Sequence, residues 1–376
     1  MSKQIRFVIA VAFLVTLPRP ALACLNDRDT LAAEAQRRPD VLRAITGRFE
    51  RNPAMYYEMR IARLKVELAH NPTLLSDYDD IAVALDRLGY DTQAIAWIDR
   101  KLVRLPKFDS KNHDISEEWY RYYANSGTFH VHRWIHDGAD STQYRDLSVA
   151  RQQIEKAIAI KPTAHFGREK YQLKVIDWLI QSRVKGPAVT LATALDGAPR
   201  DECITALAGL IALGNAWESV DIYEALAEQL GQENHALADL AELRAEELRK
   251  SGHKSLVTDN TAPHRSIFEE GLINETPYIY EQFASQRAEA DRWQTQRTQY
   301  MMGLLQRGRH PDTDPAFWNG WHDSGPPVIV RPPGHYDGLK RLVTMLTSIF
   351  IGLIVAAPFA VAVIVGRRKS RKPTGA

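Results

Sequence analysis

Between Leu75 and Pro106, apolar residues recur at three- and four-residue steps on both sides of a glycine. The order is Tyr78, Ile81, Ala82, Leu85, Leu88, Gly89, then Ala94, Ile95, Ile98, Leu102 and Pro106. That spacing predicts two helices joined by a tight turn, with a proline to end the second. Neither helix can bury its apolar face alone, so the unit must stack on neighbours of its own kind. The expected fold is therefore all-α, and the expected role is that of a binding scaffold rather than an active site.

The same patterning runs from Cys24 to about Gly252, with Pro39, Pro53, Pro72, Pro106, Pro162, Pro187 and Pro199 at predicted helix boundaries. A second unit ends at Pro162, with Ala150, Ile154 and Ala157 on its second helix. Its first helix is expected within Glu117 to Trp134, followed by an insertion around Gly138 to Tyr144. A third unit covers Val220 to Leu248, through Leu226, Ala227, Leu230, Ala238 and Ala245. Ala164 to Arg183 and Arg200 to Leu213 are helical in character but out of register.

These positions resemble the tetratricopeptide repeat, a helix–turn–helix unit of about 34 residues. In the first unit Tyr78, Ile81, Ala82, Leu85, Ala94, Ile98 and Pro106 match the family's positions. Lys101 departs from them, standing where a small residue lets two helices approach, which predicts looser packing or a snorkelling stem. The chain as a whole resembles bacterial membrane-anchored repeat proteins, whose start Cys24-Leu-Asn-Asp-Arg-Asp-Thr30 is also similar; that likeness supplies no activity. The resemblance implies a solenoid whose groove is lined by the first helix of each unit. It places Ser76, Asp79, Val83 and Asp86 as partner-binding residues. Family members that clamp an acidic peptide terminus use Lys, Asn and Arg there, so Asp and Val argue against that mode. A basic or polar protein or peptide fits an acidic groove better.

The two ends predict a membrane topology. Residues 1–23 combine Lys3 and Arg6, an apolar run from Phe7 to Leu17, and Ala21-Leu-Ala23, the pattern of a cleaved signal peptide. Cys24 follows the expected cut, but lipidation prefers Leu where Ala21 stands, which favours ordinary cleavage. Leu342 to Val365 is free of charge and long enough to span a bilayer, so residues 341–366 are expected to form a transmembrane helix. Arg367, Arg368, Lys369, Arg371 and Lys372 then mark residues 367–376 as a cytoplasmic tail, leaving the ectodomain outside. Between them, residues 253–309 are expected to hold a helical cap, with one long polar helix over Glu275 to Gly308. Residues 310–340, rich in proline, are expected to form an extended stalk.

Charge follows that topology. The signal carries three basic residues and residues 340–376 seven, with no acids in either. A whole-chain charge of +2 therefore leaves the ectodomain at −8. An acidic ectodomain disfavours nucleic-acid binding. Two cysteines, Cys24 and Cys203, are too few for a disulfide scaffold.

Catalytic signatures are absent: no HExxH, GxSxG, phosphate loop or CxxC. Ser182-Arg-Val-Lys185 and Ser251-Gly-His-Lys254 match SxxK without the partner motifs of serine acyl transfer. No cofactor and no metal are expected. The one cluster offering an alternative, a metal-dependent envelope enzyme, is His130, His132 and His136. His132 and His136 share a helix face, whereas His130 converges on them only if Gly127 or Gly138 breaks the helix. Trp119, Tyr122 and Tyr123 form an aromatic stripe suited to a core or to a binding patch.

Overall fold

The apolar stripe from Tyr78 to Ile98 folds as its spacing predicts, while Leu102 at its end is exposed. Helix α3 spans Leu75–Arg87 and α4 spans Asp91–Leu102, and Tyr78, Ile81, Ala82, Leu85, Ala94 and Ile98 are all buried. Gly89 makes the turn possible. At φ +78° it occupies the left-handed region where a side chain is strained. From there its N–H reaches Asp86 O (2.9 Å), and the Tyr90 N–H reaches Leu85 O (2.9 Å), closing the end of α3.

The computed structural model describes residues 38–140, 144–163, 167–184, 189–231, 234–257, 276–325, 327–329 and 345–346. The predicted signal, tail and most of the predicted transmembrane helix lie outside them, as does Cys24. Among the described residues there are twelve helices and no strand, and no helix is long and apolar enough to cross a membrane. Residues up to Ile329 belong to one unit and Met345–Leu346 to a second.

Before the first repeat lie α1 (Pro39–Thr46) and α2 (Ala54–His70). After it come α5 (His113–His136), α6 (Arg145–Ile160), α7 (Arg168–Val184), α8 (Leu191–Ala194) and α9 (Arg200–Ala212). The last three are α10 (Val220–Leu230), α11 (His235–Lys250) and α12 (Thr276–Leu305). The three predicted repeats, α3–α4, α5–α6 and α10–α11, are the most extensively packed helix pairs. Gly127 does not break α5. It lets α6 approach so closely that a Cβ there would lie 2.7 Å from Ile154 Cγ1 and 3.1 Å from the Ala150 carbonyl.

Hydrogen bonds set the direction of successive first helices. Asp79 on α3 bonds Asn125 on α5, and Asp86 bonds His132, each pair 46 residues apart. Partners that advance together mean that α3 and α5 run parallel. Tyr120–Glu169 and Thr128–Gln172 relate α5 to α7 in the same sense, so α7 takes a place that the sequence pattern does not reveal. The step exceeds the family's unit because the connection 103–112 and the first turns of α5 are long. The sequence places extra length only at Gly138 to Tyr144.

Two expectations need correction. Helix α12 is more than an end cap, since it packs on α1 and α2 as well as α11 and so joins the first helices to the last pair. Nor does the proline-rich stalk begin at residue 310. Phe317 is fully buried with Tyr56, Met301, Leu304 and Leu305, and Ile329 lies in the main core. Six prolines from Pro311 to Pro333 suggest an extended chain, but the apolar surface of Phe317 and Ile329 outweighs them.

Candidate functional site

A helix turns about 100° per residue, so one position decides which side chains face outward. On α3 Ser76 and Asp80 are exposed and Val83 and Arg87 half-buried, while Asp79 and Asp86 are buried. The outward stripe is therefore 76–80–83–87, rotated by one residue from the 76–79–83–86 expected of a groove. Ser76 and Val83 stay available to a partner, although Val83 also packs on the core. Asp79 and Asp86 do not, because both carboxylates are spent inside the protein.

Asp79 meets Lys101, the residue that departs from the repeat pattern. The Lys101 side chain is fully buried, with Nζ 2.5 Å from Asp79 and 2.7 Å from Glu118 on α5. Asn125 Nδ2 donates to the other Asp79 oxygen at 3.1 Å. Lys101 thus neither loosens the packing nor snorkels; it ties α3, α4 and α5 together. Burial pushes the Asp79 carboxyl up to about 6, with Lys101 opposing that rise and Glu118 adding to it.

Asp86 holds His132 in the same seam, with Nδ1 at 2.8 Å, while the other ring nitrogen faces the Gly214 carbonyl at 3.3 Å. Burial acts to lower the His132 pKa. The charge of Asp86 and its hydrogen bond, with Asp91 and the Gly214 carbonyl, outweigh burial and raise it. His136 pairs with Asp91 at 2.7 Å. His130 pairs with Asp146 at 2.7 Å, and the Arg133 guanidinium bonds the same carboxylate. Each imidazole thus has a carboxylate of its own on another element, and the His132 and His136 ring centroids are 6.3 Å apart. Among the described residues no three of His, Cys, Asp and Glu are arranged to hold a metal ion. The histidines fasten helices together, and no observation favours metal-dependent hydrolysis.

The lower end of the α3 stripe is covered by the protein itself. Arg87 donates to Asn215 Oδ1 (2.8 Å) and to Leu213 O (2.7 Å), tying the α9–α10 loop to α3. The upper end stays open around Ser76, Asp80 and Val83. Beside it, Arg60 grips Asp312 through two bonds of 2.7 and 2.6 Å, and Arg63 adds a third at 2.8 Å. Burial acts to raise the Asp312 carboxyl, but those cations hold it below the usual carboxylate range.

The aromatic stripe on α5 belongs to the core. Tyr122 is buried and Trp119 and Tyr123 pack against it, with Trp119 Nε1 donating to the Pro106 carbonyl at 2.9 Å. Cys203 is buried on α9 and makes no disulfide with any described residue. Asp80 and Arg87 are the stripe residues that the sequence reading missed, and rotating the helical wheel by one residue finds both. No protein-family model, curated protein or solved structure matches this chain.

Proposed function

We propose that the chain is an extracytoplasmic, membrane-anchored interaction scaffold, a solenoid-like stack of tetratricopeptide-type hairpins that binds a protein or peptide. The observation that carries this reading is the parallel run of first helices α3 and α5, related by a constant 46-residue step. On the outward stripe of that run Ser76 and Asp80 are exposed and Val83 is half-buried. The partner would dock at this stripe. Asp79 and Asp86 are internal, so any preference for a basic partner rests on Asp80 and on the acidic ectodomain as a whole. Signal peptide, transmembrane helix and cytoplasmic tail remain part of the proposal through the sequence at both ends.

A photo-crosslinking amino acid placed at position 83 of the full-length chain in intact cells tests the site. A discrete adduct at 83 is expected, with none at Val66, an exposed position on α2. Equal adducts at both positions, or none at 76, 80 and 83, would remove the docking stripe.

A further inference from the structure

Arginines crowd the place where α12 meets residues 46–52, and one of them is unlike the rest. Arg48 donates to Asp323 (2.9 Å), Ser324 (2.8 Å) and the Gly325 carbonyl (2.5 Å). Arg297 donates to the Arg51 carbonyl (3.2 Å) and Asn52 Oδ1 (3.0 Å). Arg287 bonds Glu247 (3.0 Å), Asp291 (3.2 Å) and the Thr46 carbonyl (2.6 Å). Arg244 bonds Glu247 at 2.7 Å but keeps its buried Nε without a partner.

Arg51 differs from all of these. Its backbone is clamped to α12, its N–H on Gln294 Oε1 (3.3 Å) and its carbonyl taking Gln294 Nε2 (2.7 Å). Its guanidinium makes no hydrogen bond and no ion pair with any described residue. It lies 5.1 Å from the Trp217 ring centroid and 5.5 Å from that of Phe49. A cation held on aromatic faces with its donors unused, and only partly open to water, is costly unless an anion meets it. Burial lowers its pKa; Asp291 opposes that, while Arg287 and Arg244 press it down further. Both of those cations are therefore close enough to repel it. Around this point three guanidiniums, Arg51, Arg244 and Arg287, face two carboxylates, Glu247 and Asp291, which leaves an excess positive charge.

We propose that Arg51, backed by Arg244 and Arg287 and walled by Trp217 and Phe49, binds a phosphate-class oxyanion. A phosphate dianion carries more charge than a carboxylate, which suits the open fork of Arg51 with two further cations behind it. Those two give their own hydrogen bonds to Glu247, Asp291 and the Thr46 carbonyl. The anion is either free phosphate or the terminal group of an organic phosphate. The site is distinct from the α3 stripe, so it stands or falls independently of the scaffold reading.

Full-length protein in detergent is titrated with inorganic phosphate and, separately, glycerol 3-phosphate, at constant ionic strength held with sodium chloride. Heat of binding and thermal midpoint are read for the parent, Arg51→Gln, Arg51→Lys and Arg145→Gln, the last an exposed control. Saturable binding is expected in the parent and the control, weakened about tenfold or more by Arg51→Gln. Arg51→Lys keeps the charge without the planar fork and is expected to fall between them. Without ligand, Arg51→Gln is expected to melt close to the parent, because Arg51 has ring contacts but no hydrogen bond or ion pair to lose. Binding of both compounds identifies a free-ion site, and binding of glycerol 3-phosphate alone an organic phosphate. No saturable binding of either compound, or equal binding by parent and Arg51→Gln, would overturn the proposal.

Discussion

Lys101→Met is the most informative single substitution. Lys101 is fully buried between Asp79 and Glu118, and methionine fills nearly the same volume without a charge. The substitution strands Asp79, itself only 6% exposed, beside Glu118 with no cation. Removing one member of a buried ion pair costs about 3–5 kcal/mol. For a unit of this size that lowers the thermal midpoint by roughly 10 °C. The loss depends on pH. The Asp79 carboxyl already stands at about 6 in the folded chain against an unfolded value of 3.8. A raised folded pKa means stability that is whole below the unfolded value and is lost as pH rises through the folded one. Without Lys101 that window extends to higher pH, so the gap between variant and parent is widest near pH 7.5 and narrows toward pH 4.5. Asp79→Asn added to Lys101→Met removes the stranded charge, keeps an acceptor for Asn125 and recovers much of the loss. Urea midpoints by circular dichroism on the full chain, at both pH values, decide the matter. A Lys101→Met loss under about 1 kcal/mol at pH 7.5, or a gap independent of pH, would refute the reasoning.

His132 carries a second pH signature. Its raised pKa gives stability that is whole below the ordinary imidazole value of 6.5 and lost as pH rises through the folded value. Urea midpoints of the parent should fall over that range, and His132→Gln should flatten the slope; an unchanged slope counts against the Asp86 pair. Gly127→Ala gains about 1 kcal/mol of helix propensity yet meets Ile154 and the Ala150 carbonyl. A net loss of about 1–3 kcal/mol is expected from overpacking, read as a lower thermal midpoint. Phe317→Ala should cost about 3–5 kcal/mol and open the chain near Arg307 and Arg309 to trypsin. A free stalk would show neither effect.

The sequence reveals those helices whose apolar period is strong, most clearly in the unit at residues 75–106 and more weakly in that at 220–248. It does not reveal which polar residues turn inward. Asp79 and Asp86 read as a wet face because aspartate is polar, and their burial depends on Lys101 and His132, which stand 22 and 46 residues further on. The histidines mislead for the same reason. Their carboxylates, Asp146, Asp86 and Asp91, lie on other elements, and no local motif records the pairing. Helix α7 is legible as a helix, but its place beside α5 is missed because its apolar positions drift from the repeat's register, although Ile176, Trp178 and Leu179 are buried. In the predicted stalk, proline count obscures the aromatic residues Phe317, Trp318 and Trp321, which bring residues 310–325 back onto α12 and α2.

The buried charges explain why a lysine is tolerated where the repeat pattern prefers a small residue. Apolar faces of three- and four-residue period are self-similar, so α5 sliding along α3 by one turn would still bury leucines and isoleucines. That slip would separate Asp86 from His132 and Asp79 from Asn125 together, and leave Lys101 away from Glu118. Each loss strands a buried polar group at about 1–3 kcal/mol or more, whereas the apolar contacts change little. The seam therefore selects one register between the first two hairpins more than it adds to their stability. The α10–α11 hairpin solves the same problem differently. Its interface is dominated by Leu226, Leu230, Leu237, Leu240 and closely packed alanines, including Ala227, Ala238 and Ala241. Shape therefore carries more of its fit, with the Arg249–Glu224 ion pair added at a partly exposed edge. On this account Lys101→Met combined with Asp79→Leu recovers stability yet loosens the register. Disulfide trapping between cysteines placed at Asp86 and His132, whose side chains meet across α3 and α5, and at positions one turn removed would detect it. A single trapped register in that double variant would show that apolar shape alone suffices there too.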